Sequence, residues 1–289
     1  MKNEANEALK KEWIAALIKS VKNMDWWERK QKAFANRGVK VLRANGDGQI
    51  YRDLVPNERT NVIEYGIHFS FLLRQNDHVF MEEQLVHLSA RFEENKLVEH
   101  SVVSNNVNQG REGQFTPERS HNEEFHSRSF EYDRRKAVQY AERWWNDFNP
   151  KYYQFEKDCT NYVSQCLHAG GAPMWGFPSR SKGWWIRGDN WSYSWSVAHS
   201  FRWYLSSSDK GLMAQEVTDA KDLLPGDVIC YDFEGDGNWN HTAIVVAKDG
   251  RGEPLVNAHS DNSRNRHWSY EDSYAWTTKT SYKFFKIKG

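Results

Sequence analysis

Asp158-Cys159-Thr160-Asn161-Tyr162-Val163-Ser164-Gln165 is the stretch on which the reading of this chain turns. It marks the passage from an irregular loop into a helix. Asp158 is a good N-cap residue, Val163, Cys166, Leu167 and Ala169 continue an apolar helical face, and Gly170-Gly171 ends the element. Cys159 therefore falls on the first helical turn. Unpaired backbone N–H groups and partly aligned peptide dipoles favour negative charge there, which lowers a thiol pKa and suits a developing oxyanion. A lone cysteine on a helix is most often a small buried hydrophobe. A nucleophile needs a base, and the chain offers one downstream.

His241 opens the run His-Thr-Ala-Ile-Val-Val after a loop ending in Asn238-Trp239-Asn240. The run reads as a strand, and a histidine at its start is well placed to face a helix N-terminus packed on the sheet. Imidazole titrates near neutrality, so it can take a thiol proton and return it to a leaving amine. Taken alone, such a histidine is usually structural. The pair, in this order and on these elements, points to nucleophilic chemistry.

Around this pair the chain reads as α+β. Residues 132 to 145 form a helical pattern closed by Asn149-Pro150, and 196 to 205 a further helix. Strands are expected at 227–232, 241–247, 255–259 and 281–287, as an antiparallel meander. Upstream, Leu9, Trp13, Ala16, Leu17 and Val21 give an amphipathic helix over 5–22, followed by a second helix from Trp26 to Ala35. The period then changes to two. Ile63, Tyr65, Ile67, Phe69 and Phe71 alternate with polar or small residues, Val86 to Phe92 does likewise, and Glu94-Asn95-Lys96 turns into a partner strand, Leu97 to Val103. Helices followed by long antiparallel strands suggest a small α+β unit, a curved sheet over a helix as in cystatin-type folds. Residues 104–128 are polar and read as a linker. The expected organisation is an N-terminal α+β domain at 1–103, the linker, and a second domain at 129–289.

Composition excludes several classes. The 289 residues carry 39 basic and 39 acidic side chains, so no nucleic-acid partner is implied. No run approaches the length of a membrane helix. The polar start, Met1 to Ala8, gives no signal peptide, hence the expectation of a cytoplasmic chain unless it is a mature or non-classically exported form. Cysteines at 159, 166 and 230 make neither a disulfide framework nor a zinc motif, and Cys166 and Cys230 read as packing. No cofactor is called for. Asp232 to Asn240 spaces oxygen side chains like a calcium loop, but its twelfth position is Ala243 where a glutamate is needed, so it reads as a solvated turn aiming His241. Of 14 tryptophans, Trp144, Trp145, Trp175, Trp184, Trp185, Trp191 and Trp195 are clustered in sequence. Most such residues build core. Trp184, Trp185, Trp191 and Trp239 are the candidates for a substrate groove.

At these motifs the chain resembles the amidase domain of bacterial proteins, a member of the papain-like superfamily that includes NlpC-type peptidases and CHAP amidases. Tyr132 to Trp144 with Asn149-Pro150 is similar to the family's opening helix, and Asp158 to Gly171 to its nucleophile helix. Leu224-Pro225-Gly226-Asp227-Val228-Ile229 and His241-Thr242-Ala243-Ile244-Val245 are similar to its two motif strands. The likeness covers a little over half the chain. It implies Cys159 as nucleophile, His241 as base, and a third polar residue on the next strand. Asn257 and His259, two apart and on one face, are the two candidates, with Asn257 preferred. An oxyanion hole would use the Cys159 N–H and a side-chain donor, for which Gln154 is a candidate, with Asp158 in support. The implied activity is cysteine-dependent hydrolysis of an amide, with peptidoglycan stem peptides or a related small peptide as substrate. The competing readings are a non-catalytic glycan- or peptide-binding module and an amine-accepting acyltransferase.

Overall fold

The computed structural model describes residues 7–11, 13, 25–57, 59–94, 96–103 and 130–289. The polar segment 104–128 and most of the first amphipathic helix lie outside them, although 7–11 and 13 are helical. The chain divides into two compact units, Met1–Asn106 with Tyr270–Tyr274, and Val107–Ser269 with Ala275–Gly289.

In the first unit, β1 (Lys40–Asn57), β2 (Thr60–Gln75), β3 (His78–Glu93) and β4 (Lys96–Val102) pair antiparallel in chain order. The period-two pattern of β2 extends further than the sequence suggests: Ile63, Tyr65, Ile67, Phe69, Phe71 and Leu73 are all buried on one face. Helix α1 (Asp25–Asn36) covers that face. Trp26 stacks on Phe69 at 4.9 Å and Trp27 on Phe71 at 5.5 Å. Aromatic burial of this kind contributes roughly 1.5–3 kcal/mol per side chain. A charged cluster is buried in the unit: Lys30, 1% exposed, pairs with Glu82 and, at 2.7 Å, with Asp272, both themselves buried.

The second unit carries α2 (Arg134–Trp144), α3 (Cys159–Ala169), a two-stranded ribbon of β5 (Ile186–Arg187) and β6 (Asn190–Trp191), then α4 (Tyr193–Ser196) and α5 (Ala198–Ser207). Its sheet contains β7 (Ala214–Val217), β8 (Val228–Asp232), β9 (His241–Lys248), β10 (Pro254–Ala258), β11 (Ser263–His267) and β12 (Ser281–Ile287). The order is β11-β10-β9-β8-β12-β7, every neighbour antiparallel. The fold is α+β, with extensive antiparallel sheet and few helices. Strands β7 and β11 extend it beyond the four strands expected.

Strand alternation divides the sheet into two faces. Val228, Cys230, Ile244, Val246, Phe285 and Ile287 point to the helices and share one core with Tyr162, Val163, Cys166 and Leu167 of α3. Tyr231, Tyr282 and Phe284 point the other way, where Tyr282 and Phe284 stack at 6.3 Å and Trp268 meets Phe284 edge-on at 5.3 Å. Both faces are thus covered by side chains.

Candidate active site

Helix α3 is buried along its length, from Cys159 through Leu167, so its polar side chains need partners inside the protein. They have them. Asn161 donates from Nδ2 to the Tyr153 carbonyl and to Asp158 Oδ1, both at 2.9 Å, and accepts from Trp195 Nε1 at 2.8 Å. Ser164 donates to the Trp195 carbonyl and accepts from Trp184 Nε1, both at 2.9 Å. Tyr162 donates to the Ala141 carbonyl, and Gln165 accepts from Tyr140. The helix ends at Gly170-Gly171, with Gly171 at φ 89°, a conformation that favours glycine.

Asp158 holds the N-cap position, but its side chain caps nothing. With φ −99° and ψ −1° the carboxylate folds back over the preceding turn. There Oδ1 accepts from the Phe155 N–H at 3.0 Å and from Asn161, and Oδ2 lies 2.8 Å from His259 Nδ1. His259 is enclosed: its Nε2 meets the Trp144 carbonyl at 2.7 Å, its ring stacks on Tyr162 at 4.1 Å, and Phe148 meets it edge-on at 5.1 Å. The structure therefore joins His259 to Asp158 and, through it, to the turn that carries the cysteine.

The thiol of Cys159 is buried, 3.8 Å from the Thr160 hydroxyl and in contact with Thr242. Burial pushes its pKa up, outweighing the Thr242 N–H and the Thr160 and Thr242 hydroxyls that pull it down, while the charge of Asp158 adds to the rise. The helix N-terminus alone thus leads to the wrong expectation: at rest this is a thiol, because desolvation outweighs the local donors.

His241 follows the parity of its strand. Thr242 donates to the Thr160 hydroxyl at 3.2 Å, which places it on the α3 face. Its neighbour His241 faces the other way, opposite Tyr231 in register, with ring centroids 5.3 Å from Tyr231 and 5.9 Å from Phe233. Burial, followed by the Arg266 charge, pushes its pKa down to about 3, so the ring is neutral. Among the described residues no hydrogen bond joins thiol and imidazole. Neither does one join His241 to Asn257 or His259. Asn257 spends both ends elsewhere, donating to Glu142 Oε1 at 3.0 Å and accepting from the Asn265 N–H at 2.8 Å. Gln154 is exposed on the turn before α3.

Residues 131–285 match the family described as "Putative amidase domain". The chain belongs to this family. It is 46% identical over 264 residues to the uncharacterized protein YhbB of Bacillus subtilis (strain 168), covering 90% of this chain and 85% of that protein. The uncharacterized protein YjcM of the same organism is 33% identical over 138 residues, which is 45% of this chain and 31% of YjcM. No solved structure matches the chain.

Within the amidase domain the four candidate groove tryptophans separate. Trp184 is fully buried in the core and bonded to Ser164, which removes it from any groove. Trp239 is 6% exposed and also core, beneath the Arg202 guanidinium at 5.2 Å. Trp191 is half-buried beside the cysteine turn, stacked on Tyr153 at 5.0 Å and edge-on to Phe155 at 4.8 Å. Trp185, itself only 1% exposed, underlies a surface groove of about 710 Å³ without presenting its ring to solvent. The loop after β8 is held by its own carboxylate: Asp232 accepts from the N–H groups of Gly235, Asp236 and Gly237. Among the described residues no group of three or more His, Cys, Asp or Glu is placed to hold a metal, and no helix is long and apolar enough to cross a membrane.

Sequence reasoning passed over Thr160, Asn161, Thr242 and the Glu142–Arg264 pair, in which Nε and Nη2 of Arg264 both lie 2.6 Å from Oε2. One signal was available: Asn161 lies one helical turn after Asp158, where its amide can reach back to the carboxylate.

Proposed function

We propose that the amidase domain is a cysteine-dependent amide hydrolase of the papain-like type, with Cys159 as nucleophile and His241 as its base. The observation that carries this is the hydrogen bond of 3.2 Å between the Thr242 and Thr160 hydroxyls, which brings the residue next to His241 against the residue next to Cys159. His259 is not the base, because both its nitrogens are already engaged. His241 is neutral and can accept a proton. In the resting arrangement its ring packs against Tyr231 and Phe233, so catalysis requires the backbone at His241, the strand's first residue beside a loop, to rotate and carry the ring to the sulfur's side. The sulfur then attacks the carbonyl carbon, the imidazolium protonates the departing amine, and water cleaves the thioester to release the acid and restore the thiol. Asp158, held by His259 and Asn161, positions the turn that bears the nucleophile. Peptidoglycan stem peptides or a related small peptide amide are the proposed substrates. We further infer a linker at 104–128 between a substrate-positioning or assembly domain, 1–103, and the catalytic one, 129–289.

A second reading is a binding module without turnover. It is favoured by the buried, protonated thiol and by the direction of the His241 side chain. Two experiments separate them. In timed iodoacetamide labelling with mass spectrometry, Cys159 should react well before Cys166 and Cys230, whose thiols burial pushes higher still. Equal, sluggish labelling of all three sinks the enzyme reading. Wall fragments incubated with the full chain should yield new free amines that are absent with Cys159→Ala. A product carrying a transferred acyl group would instead mark an acyltransferase.

A further inference from the structure

The surface groove of the second unit is built from the loop between α3 and β6, and its principal walls are Met174, Trp175, Phe177, Lys182, Trp185 and Arg187. Its backbone is fixed. Trp175 and Trp184 exchange backbone hydrogen bonds of 3.0 and 2.8 Å, and Trp185 Nε1 donates to the Ser179 and Lys182 carbonyls, both at 3.1 Å. At Gly183, φ 67°, a Cβ would lie 1.9 Å from the Trp175 carbonyl oxygen, so the two backbone segments approach as only glycine permits. A binding surface held this way loses little conformational freedom when a ligand arrives.

The chemistry of the walls is specific. Trp175 and Phe177 are 38% and 50% exposed, large aromatic surfaces presented to solvent in a concave site. Cations accompany them: the Arg187 guanidinium lies 4.8 Å from the Phe177 centroid and the Lys210 ammonium 5.6 Å from that of Trp175, with Lys182 on the lining. Among the described residues no aspartate or glutamate lines the groove. Scattered exposed aromatics need no explanation, but a rigid hollow with aromatic faces beside the Arg187 guanidinium has a complementary ligand. A pyranose presents an apolar C–H face to an aromatic ring, and a carboxylate is the natural partner of a guanidinium. The balanced charge of the whole chain gives no sign of a polyanion site.

We propose that this groove binds a saccharide bearing a carboxylate, stacked on Trp175 and Phe177 and with its acid toward Arg187 and Lys182. The site goes beyond the hydrolase reading and does not depend on Cys159.

The test uses the full chain and a matched pair of probes, N-acetylmuramic acid and N-acetylglucosamine, which share a pyranose but differ in the lactyl carboxylate. Binding is followed by calorimetry and by the indole N–H signals in NMR. The acid should bind at least about fivefold more tightly than the neutral sugar. Trp175→Ala should weaken both. Arg187→Gln with Lys182→Gln should abolish the difference while sparing the neutral sugar, and Trp203→Phe, an exposed tryptophan of α5, should change nothing. Saturation by neither sugar, equal binding of the two, or tighter binding of adenosine monophosphate (an aromatic anion without a pyranose) overturns the proposal. Cys159→Ala should bind as the parent does, so a failed hydrolase reading and a failed sugar site give different results.

Discussion

Replacing His241 with glutamine should remove an acid-sensitive component of stability that the structure assigns to this one ring. The imidazole is buried against Tyr231 and Phe233, with Arg266 as the charge acting on it, and its pKa falls from 6.5 to about 3. The unfolded chain therefore takes up a proton near pH 6.5 that the folded chain refuses until about pH 3. Between those values the unfolded state binds more protons, so stability is full above pH 6.5 and declines as pH falls. Each pH unit below the unfolded value removes about 1.4 kcal/mol for one such group, which gives roughly 2 kcal/mol lost by pH 5.

Carboxylates titrate lower, and His100 in the first unit, pushed by burial to about 4, adds its own slope of the same sign. The measurement is therefore a difference. Urea unfolding followed by tryptophan fluorescence at pH 7.5, 6 and 5 is compared for the parent and His241→Gln. The parent should lose about 2 kcal/mol more than the variant between pH 7.5 and 5. Matching losses, within about 0.5 kcal/mol, would refute the buried neutral ring. Should the variant fold poorly, the Cε1 proton of His241 in the parent carries the same information, because its NMR shift should stay flat from pH 8 to 5. A midpoint near 6.5 would show that the ring is already solvated, as a base turned toward an open thiol would be.

His259→Ala removes the Nδ1 partner of buried Asp158 and the ring stacked on Tyr162, and should lower stability by about 3 kcal/mol in calorimetry, with His259→Gln recovering part of it. A loss below about 1 kcal/mol would mean that the pair does not hold the turn. Lys30→Ala removes the cation shared by buried Glu82 and Asp272, leaving Arg37 at 3.6 Å from Glu82, and should cost about 3 kcal/mol in the first unit, read by hydrogen exchange at α1 and β3. Unchanged protection there would refute the buried network. Gly183→Ala drives a methyl into the Trp175 carbonyl and should destabilise by more than about 2 kcal/mol, and thermal melting within about 1 kcal/mol of the parent would show that the backbone is not held so closely.

The sequence revealed those elements whose burial follows a period. Ile63 to Phe71 and His241 to Ala247 alternate or run apolar, and the helix after Asp158 opens and closes on polar and glycine signals. Strand β1 escaped because it is an edge strand whose Lys40–Asn57 run includes glycines and charges, with its pairing supplied wholly by β2. Strand β11, Ser263–His267, escaped for a different reason: Arg266 is buried and Asn265 adopts φ 51°, while Asn257 and Glu142 tie the segment down through side chains distant in sequence. The same distance hid the burial of Asn161 and Ser164, whose partners Trp184 and Trp195 lie on later loops and helices.

Parity sets the limit at the candidate site. The spacing of Cys159 and His241 along the chain fixes which helix and which strand meet, and these do meet at Thr242. It does not fix which face the first residue of β9 takes, because moving the β8–β9 pairing by one position would exchange every side chain between the α3 face and the far one. Tyr231 opposite His241, and Cys230 opposite Thr242, place the threonine on the thiol and the imidazole across the sheet. A resting state with a neutral thiol and a neutral, averted imidazole keeps the Cys159 thiol below the reactivity of a pre-formed thiolate. If the domain is a hydrolase, binding of substrate is then what assembles the ion pair, and thiol reactivity should rise on addition of a substrate analogue. A pre-formed thiolate would react equally fast with and without it, which would place the histidine on the cysteine's face from the start.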